Sequence, residues 1–223
     1  FEDINSGFIG YHHPLQDIGN FGTALSYLGV PNIEKRASDT DEPDSIFTAT
    51  DISWTLSFAR ENIFLEDLSA GVNLKLITQK IDTENATGLG LDIGFLYKSP
   101  IQNLKLGFVI QNIGIGPGPK FINDRDSLPL ALKVGVFYKV FDAINLVSDV
   151  DYFLIDKKAQ LSVGGEYWFM NLLAPRIGYK FGSDLGGFGA GVGFAVYEFR
   201  IDYAFAPYGV LGNSHRVSVS FRF

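Results

Sequence analysis

The sequence predicts an all-β fold, an antiparallel up-and-down transmembrane β-barrel with about 13 strands. Three observations predict it. Apolar and polar residues alternate with period two in segment after segment. Charge keeps to one side of that alternation. The segments are joined by connectors that are largely long and short in turn.

Segments of roughly 8–12 residues, the length that crosses a bilayer at a tilt, fall near 4–12, 19–28, 46–59, 67–79, 87–98, 104–113, 130–140, 144–154, 159–169, 173–181, 187–195, 197–206 and 214–223. Neighbouring side chains on a strand point to opposite faces. Leu89, Leu91, Ile93, Phe95 and Tyr97 therefore oppose Asp92 and Lys98, and Leu161, Val163, Tyr167 and Phe169 oppose Gln160, Ser162 and Glu166. Between 187 and 206 the apolar phase switches. Phe188, Ala190, Val192 and Phe194 occupy even positions, whereas Tyr197, Phe199, Ile201, Tyr203 and Phe205 occupy odd ones. A turn at Ala195-Val196 accounts for the switch. In the last segment Val217, Val219, Phe221 and Phe223 alternate with Arg216, Ser218, Ser220 and Arg222.

Long connectors are expected near 29–45, 79–87, 114–129, 182–186 and 207–213, and short ones near 60–66, 99–103, 141–143, 170–172 and 196. The connector at 155–158 fits poorly, being short where a long one is due. Alternate connectors of an up-and-down barrel emerge at the same end, and outer-membrane barrels carry long loops outside the cell and short turns in the periplasm. The expected placement is the bacterial outer membrane, with long loops extracellular and the C-terminus periplasmic.

Lumen-facing charged candidates are Lys75, Asp92, Lys133, Asp149, Asp151, Glu166, Arg176, Glu198, Arg200, Asp202 and Arg222; the lipid-facing aromatics are Tyr197, Phe199, Tyr203 and Phe205. A charge facing lipid at mid-depth costs roughly 2–4 kcal/mol, so this partition suits a wall with hydrocarbon on one side. A soluble sandwich would instead close its apolar faces against each other.

Composition removes other classes. The formal net charge of −7 disfavours a nucleic-acid partner. With no Cys there is neither a disulfide framework nor thiol chemistry. No apolar run approaches the ~18 residues of a membrane helix. The opening Phe1-Glu2-Asp3-Ile4 has neither a basic nor an apolar leader region. Residues 1–223 are expected to be a single outer-membrane β-barrel domain without its N-terminal signal peptide.

Several pieces taken together resemble the PorV/PorQ-like family within the broader FadL-like group of outer-membrane proteins. They are LSAGVNLKLI (68–77), GLGLDIGFLYKS (88–99), LKLGFVIQNIG (104–114), LPLALKVGVFY (128–138), SVGGEYW (162–168), PRIGYKFG (175–182), RIDYAFAPYG (200–209) and the closing APYGVLGNSHRVSVSFRF. The resemblance implies a barrel of 14 strands, one more than this chain supplies, and a plug-like N-terminal segment whose Asn-Pro-Ala-Gly-type motif is absent here. Val219, Phe221 and Phe223 look like the C-terminal signal read by the barrel-assembly machinery.

Reactive-looking motifs have plainer readings. His12 and His13 point apart on a strand, so a metal site there would need a turn; a polar periplasmic turn is the simpler reading. Ser214 and His215 are likewise separated and lack an orienting third group. Asp39, Asp41, Glu42 and Asp44 lack EF-hand spacing and read as a solvated loop, with divalent ions bridging lipopolysaccharide as the alternative. The glycines at 186, 187, 189, 191 and 193 alternate along a strand instead of opening a helix. They read as a thin inner wall with room for a plug or ligand. GIGPGP (114–119) is a loop breaker. No catalytic residue, metal or cofactor is expected, and the chain is not expected to be an enzyme. The inward charges form either a cross-lumen and cross-strand ion lattice, or a polar path or site for an anionic headgroup, with Arg176 and Arg200 as first choices.

The functional expectation is a FadL-like channel for hydrophobic or amphipathic small molecules, with either a continuous apolar pocket or a lateral gap in the wall, Pro175 being the place where pairing would be interrupted. The alternatives are a PorV-like accessory barrel of type IX protein secretion, docking secretion-system proteins at 29–45 and 114–129, and a structural barrel without flux. Expected partners are outer-membrane lipid and lipopolysaccharide, the assembly machinery and a hydrophobic ligand.

Overall fold

The computed structural model describes residues 4–116, 118–121, 124–125, 127–183, 187–209 and 212–222. Thirteen strands form one antiparallel sheet in sequence order. They are β1 (Asn5–Leu15), β2 (Gly19–Lys35), β3 (Ser45–Arg60), β4 (Leu68–Ile81), β5 (Glu84–Lys98), β6 (Leu104–Ile115), β9 (Ala131–Val140), β10 (Ile144–Phe153), β11 (Lys158–Tyr167), β12 (Leu173–Phe181), β13 (Phe188–Val196), β14 (Phe199–Pro207) and β15 (Asn213–Phe221). The remaining two, β7 (Lys120–Phe121) and β8 (Asp124–Arg125), make a small separate hairpin inside the β6–β9 connector. The all-β, up-and-down expectation holds, as does each of the 13 segments to within a few residues at most ends.

The chain forms two compact units. One comprises Glu2–Phe95 and Val109–Ala131, the other Leu96–Phe108 and Leu132–Phe223. In the first, β1 pairs with β2 without interruption from Asn5↔Gly29 to Leu15↔Gly19. His12 and His13 are thus strand residues facing Gly22 and Phe21, not a turn as the sequence reading had it. β2 runs well past the expected end at 28. It carries a bulge between Val30 and Ile33, where Pro31 has no N–H to give and Asn32 takes a left-handed φ of 58°. The connector expected at 79–87 is a two-residue turn, Asp82-Thr83, with φ 54° at Asp82. Length there goes into strands: β2 to β5 have 17, 16, 14 and 15 residues.

In the second unit β10 to β15 pair in continuous register. Val196 pairs with Phe199, so the turn is Tyr197-Glu198, two residues later than the phase switch indicated. Tyr197 (φ 51°) and Glu198 therefore sit in the turn and leave the lipid-facing and lumen-facing strand positions assigned to them. Arg222 lies just past β15, its backbone N–H donating to the Glu198 carbonyl. At Pro175 the β11 ladder has already stopped, its last pair being Glu166↔Arg176, while the β13 side continues through Pro175↔Val192. Pairing is interrupted on one side only.

Each strand has a polar and an apolar face, and the apolar face is not buried. Trp54, Leu56, Leu74 and Leu76 in one unit are exposed, as are Leu161, Ile201, Tyr203 and Val219 in the other. The buried apolar residues among those described are few and mostly small: Ala86, Leu128, Ala131 and Ala174, with Pro119 fully enclosed. A sandwich would cover its aromatic and branched side chains with a second sheet.

Candidate functional site

In the second unit, cross-strand register assembles the polar face rung by rung. One rung runs Val147, Gly164, Gly178, Gly189. The next runs Asn145, Glu166, Arg176, Gly191, Ala204, Arg216. The one beyond joins Ala174, Gly193, Asp202 and Ser218. Glycines on three adjacent strands leave that face without side chains, so the wall is thin there. Against it lies a cavity of about 530 Å³, lined among others by Phe137, Val147, Gly164, Gly178, Gly189 and Arg216. That volume falls within the usual range of small-molecule sites.

Charged residues border the cavity. Arg176 Nε donates to Glu166 Oε2 at 2.5 Å and its Nη1 to Asp202 Oδ1 at 2.6 Å. Arg200 Nε donates to Asp202 Oδ2 at 3.0 Å, and its guanidinium lies over the Trp168 ring at 5.2 Å. Glu166 Oε1 also accepts from Asn145 at 2.8 Å and from Trp168 Nε1 at 2.5 Å. The first-choice arginines of the sequence reading thus carry carboxylate partners already, as charges in a weakly solvated wall require. One buried atom, Arg176 Nη2, has no hydrogen-bond partner. The Cβ of an alanine at 193 would stand 2.6 Å from it, so Arg176 reaches its carboxylates across a glycine. Arg216, on the same rung as Arg176, has no hydrogen bond or ion pair among the described residues.

Farther along this face Lys133 pairs with Asp151 at 3.5 Å. Asp149, two residues before Asp151 and on the same side, faces Ser162 across the β10–β11 ladder. Lys105 stands over the Phe137 ring at 5.5 Å. On the opposite face are Phe199, Tyr203 and Phe205. Phe199 meets the ring of its cross-strand partner Phe221 at a tilt, with centroids 4.7 Å apart. Tyr203 shares a hydrogen bond with His215 Nδ1 at 2.8 Å. His215 is so engaged on the apolar side while Ser214 belongs to the polar one, and the two do not meet. Val219 and Phe221 lie on the exposed apolar face of β15. Phe223, the third member of the expected assembly signal, and Gly186 lie outside the described residues.

The first unit has its own polar cluster. Lys75 Nζ is 2.6 Å from Asp92 Oδ1 and also donates to Asn112. Asp92, which is buried, accepts from Asn73 at 3.2 Å and from the Asn112 backbone N–H at 2.8 Å. Asn112 has a left-handed φ of 63° inside β6, and its side-chain amide donates to the Pro129 carbonyl at 3.0 Å. Pro129 belongs to the β6–β9 connector, which the sequence presented as an external loop. The connector packs back on the sheet instead. Pro119 leaves only 2.9 Å for a Cβ at Gly88, and Leu128 only 2.9 Å for one at Gly90. Sequence reasoning missed this packing. Its signal was present in the small residues Ala86, Gly88 and Gly90 alternating along β5, facing a connector that holds Pro119 and Leu128. Elsewhere, the acidic loop is held by its own groups, Asp44 accepting from the Ala37 N–H at 2.6 Å. Among the described residues no group of three or more His, Asp or Glu is arranged to hold a metal ion.

Two solved structures share this architecture. The chain is similar to the toluene transporter TodX of Pseudomonas putida, with a TM-score of 0.67 at 13% identity, over 97% of this chain and 84% of that one. It is also similar to the toluene transporter TbuX of Ralstonia pickettii, with a TM-score of 0.62 at 11% identity, over 91% and 78% of the two chains. The fold is that of these two proteins. Identity at this level speaks for the fold alone. No protein-family model matches the chain, and no curated protein does.

Proposed function

We propose that this chain is an outer-membrane channel for hydrophobic or amphipathic small molecules, of the FadL-like kind its sequence resembles. One observation carries the reading. The polar face holds a cavity of about 530 Å³ against a wall thinned by Gly164, Gly178 and Gly189, with Val147 and Phe137 among its lining. An apolar body fits that surface, and Arg216 offers a cation to the polar end of an amphiphile. The neighbours' substrate supports the same class. In this reading the exposed apolar face meets outer-membrane lipid, the acidic connector between β2 and β3 faces outward with lipopolysaccharide, and Val219, Phe221 and Phe223 serve assembly.

The test is flux into liposomes carrying the purified protein, with monoaromatic hydrocarbons and long-chain amphiphiles as solutes. Gly189→Leu is the decisive variant, since a Cβ at 189 meets only the Phe205 carbonyl, at 3.9 Å. The variant should fold normally and lose flux several-fold. Equal flux with and without protein would leave the structural, non-transporting barrel as the better account. The secretion-accessory reading gains nothing from the β6–β9 connector, whose Pro119 and Leu128 are buried against β5.

A further inference from the structure

The short turns of the second unit carry large apolar tips that stand mostly exposed. The connectors 99–103, 141–143, 168–172 and 197–198 form one rim, because backbone hydrogen bonds join each to the next strand end. Lys139 N–H donates to the Asn103 carbonyl, Trp168 to Ala143, Ala195 to Leu172, and Arg222 to Glu198. On this rim Ile101 is 61% exposed, Phe141 81%, Met170 79% and Tyr197 99%. Phe141, Met170 and Tyr197 also have φ of 50°, 52° and 51°. Left-handed backbone favours Gly or Asn, and the chain does place Asn103 and Asn171 in such positions on the same rim. Neither local conformation nor packing inside the fold accounts for a phenyl, a thioether and a phenol there.

We propose that this rim is embedded in lipid, at the boundary between headgroups and acyl chains. The inference rests on the reading of the apolar strand face as lipid-facing, and continuity with that face supports it. Exposed Phe169, Leu173, Phe194 and Phe199 lead directly into the tips. Phe141 is followed by Asp142, and Tyr197 by Glu198. Such pairs offer an apolar body to lipid and a charge to the headgroup layer, where amphipathic aromatics gather. The first unit has a turn of the same kind, with Phe64 exposed at φ 64° beside exposed Leu65. The proposal assigns the rim to lipid and not to a periplasmic protein or to water.

The chain contains no Cys, so single labelling sites need no background removal. Phe141→Cys, Met170→Cys and Tyr197→Cys are each spin-labelled and reconstituted into liposomes that hold no other protein. Collision rates with oxygen and with a water-soluble nickel chelate are then compared. Ile201→Cys on the apolar face of β14 gives the hydrocarbon reference, and Ser38→Cys in the acidic loop gives the aqueous one. The expected result is an oxygen-to-nickel ratio at the three tips several-fold above that at 38. Ratios equal to the value at 38, with 201 reading hydrocarbon, overturn the proposal and leave the lipid-facing strands intact. If 201 itself reads water, both fall together.

Discussion

Asp202 ties the second unit's charge lattice together, since it accepts from both Arg176 and Arg200. Asp202→Asn removes the charge opposing two guanidinium groups and should cost about 1–3 kcal/mol, read as a lower midpoint of urea unfolding in lipid vesicles. Gly193→Ala acts on the same lattice by shape, pushing a methyl against Arg176 Nη2. It should cost about 1–3 kcal/mol and leave Asp202→Asn with less to remove, a non-additivity that a double-variant comparison measures. At this scale the sequence was partly legible. That Glu166, Arg176, Arg200 and Asp202 share a face followed from parity along each strand. Their partners did not, because which carboxylate meets which arginine depends on register between strands, and no sequence separation encodes that directly. For this reason the ion lattice and the anionic site stayed open as alternatives at Arg176 and Arg200; the ion pairs favour the lattice, and Arg216 is the cavity arginine without an ion pair among the described residues.

Among the elements, β6 combines features no periodicity displays. Asn112 leaves the strand conformation, gives its N–H to Asp92 and holds the β6–β9 connector through Pro129. Asn112→Val places a β-branched residue in left-handed backbone, costing about 1–2 kcal/mol, and removes the tie to Pro129. The expected outcome is a destabilised chain whose connector becomes cleavable by added protease, while the unaltered chain resists. Strand positions were legible because alternation is a direct consequence of a two-sided wall. Connector lengths were less so. Residues 79–87, with Thr, Gln, Lys and Glu on both sides, look like a loop, yet backbone pairing alone extends β4 and β5 to a turn at Asp82. At Tyr197 the phase switch marked the presence of a turn but placed it two residues early, since the last pair of a hairpin still obeys the alternation.

For the molecule as a whole, the ordering of hydrophobicity is inverted relative to a soluble protein. Large apolar side chains lie exposed on one face of the sheet, and small residues and paired charges occupy the other. That inversion was legible in the sequence, because charge almost vanishes from the apolar positions; the pairing of charges on the polar face was not. Trp54 tests it with a native probe. It lies on the exposed apolar face of β3, its Nε1 donating to Thr23 at 2.9 Å. The only other tryptophan, Trp168, lies on the polar face beside Glu166, and Trp168→Phe leaves Trp54 as the sole emitter. In vesicles whose acyl chains carry bromine, Trp54 should be strongly quenched and aqueous acrylamide should have little effect. Unquenched emission in brominated lipid, with free access for acrylamide, would mean that this face meets water and not hydrocarbon.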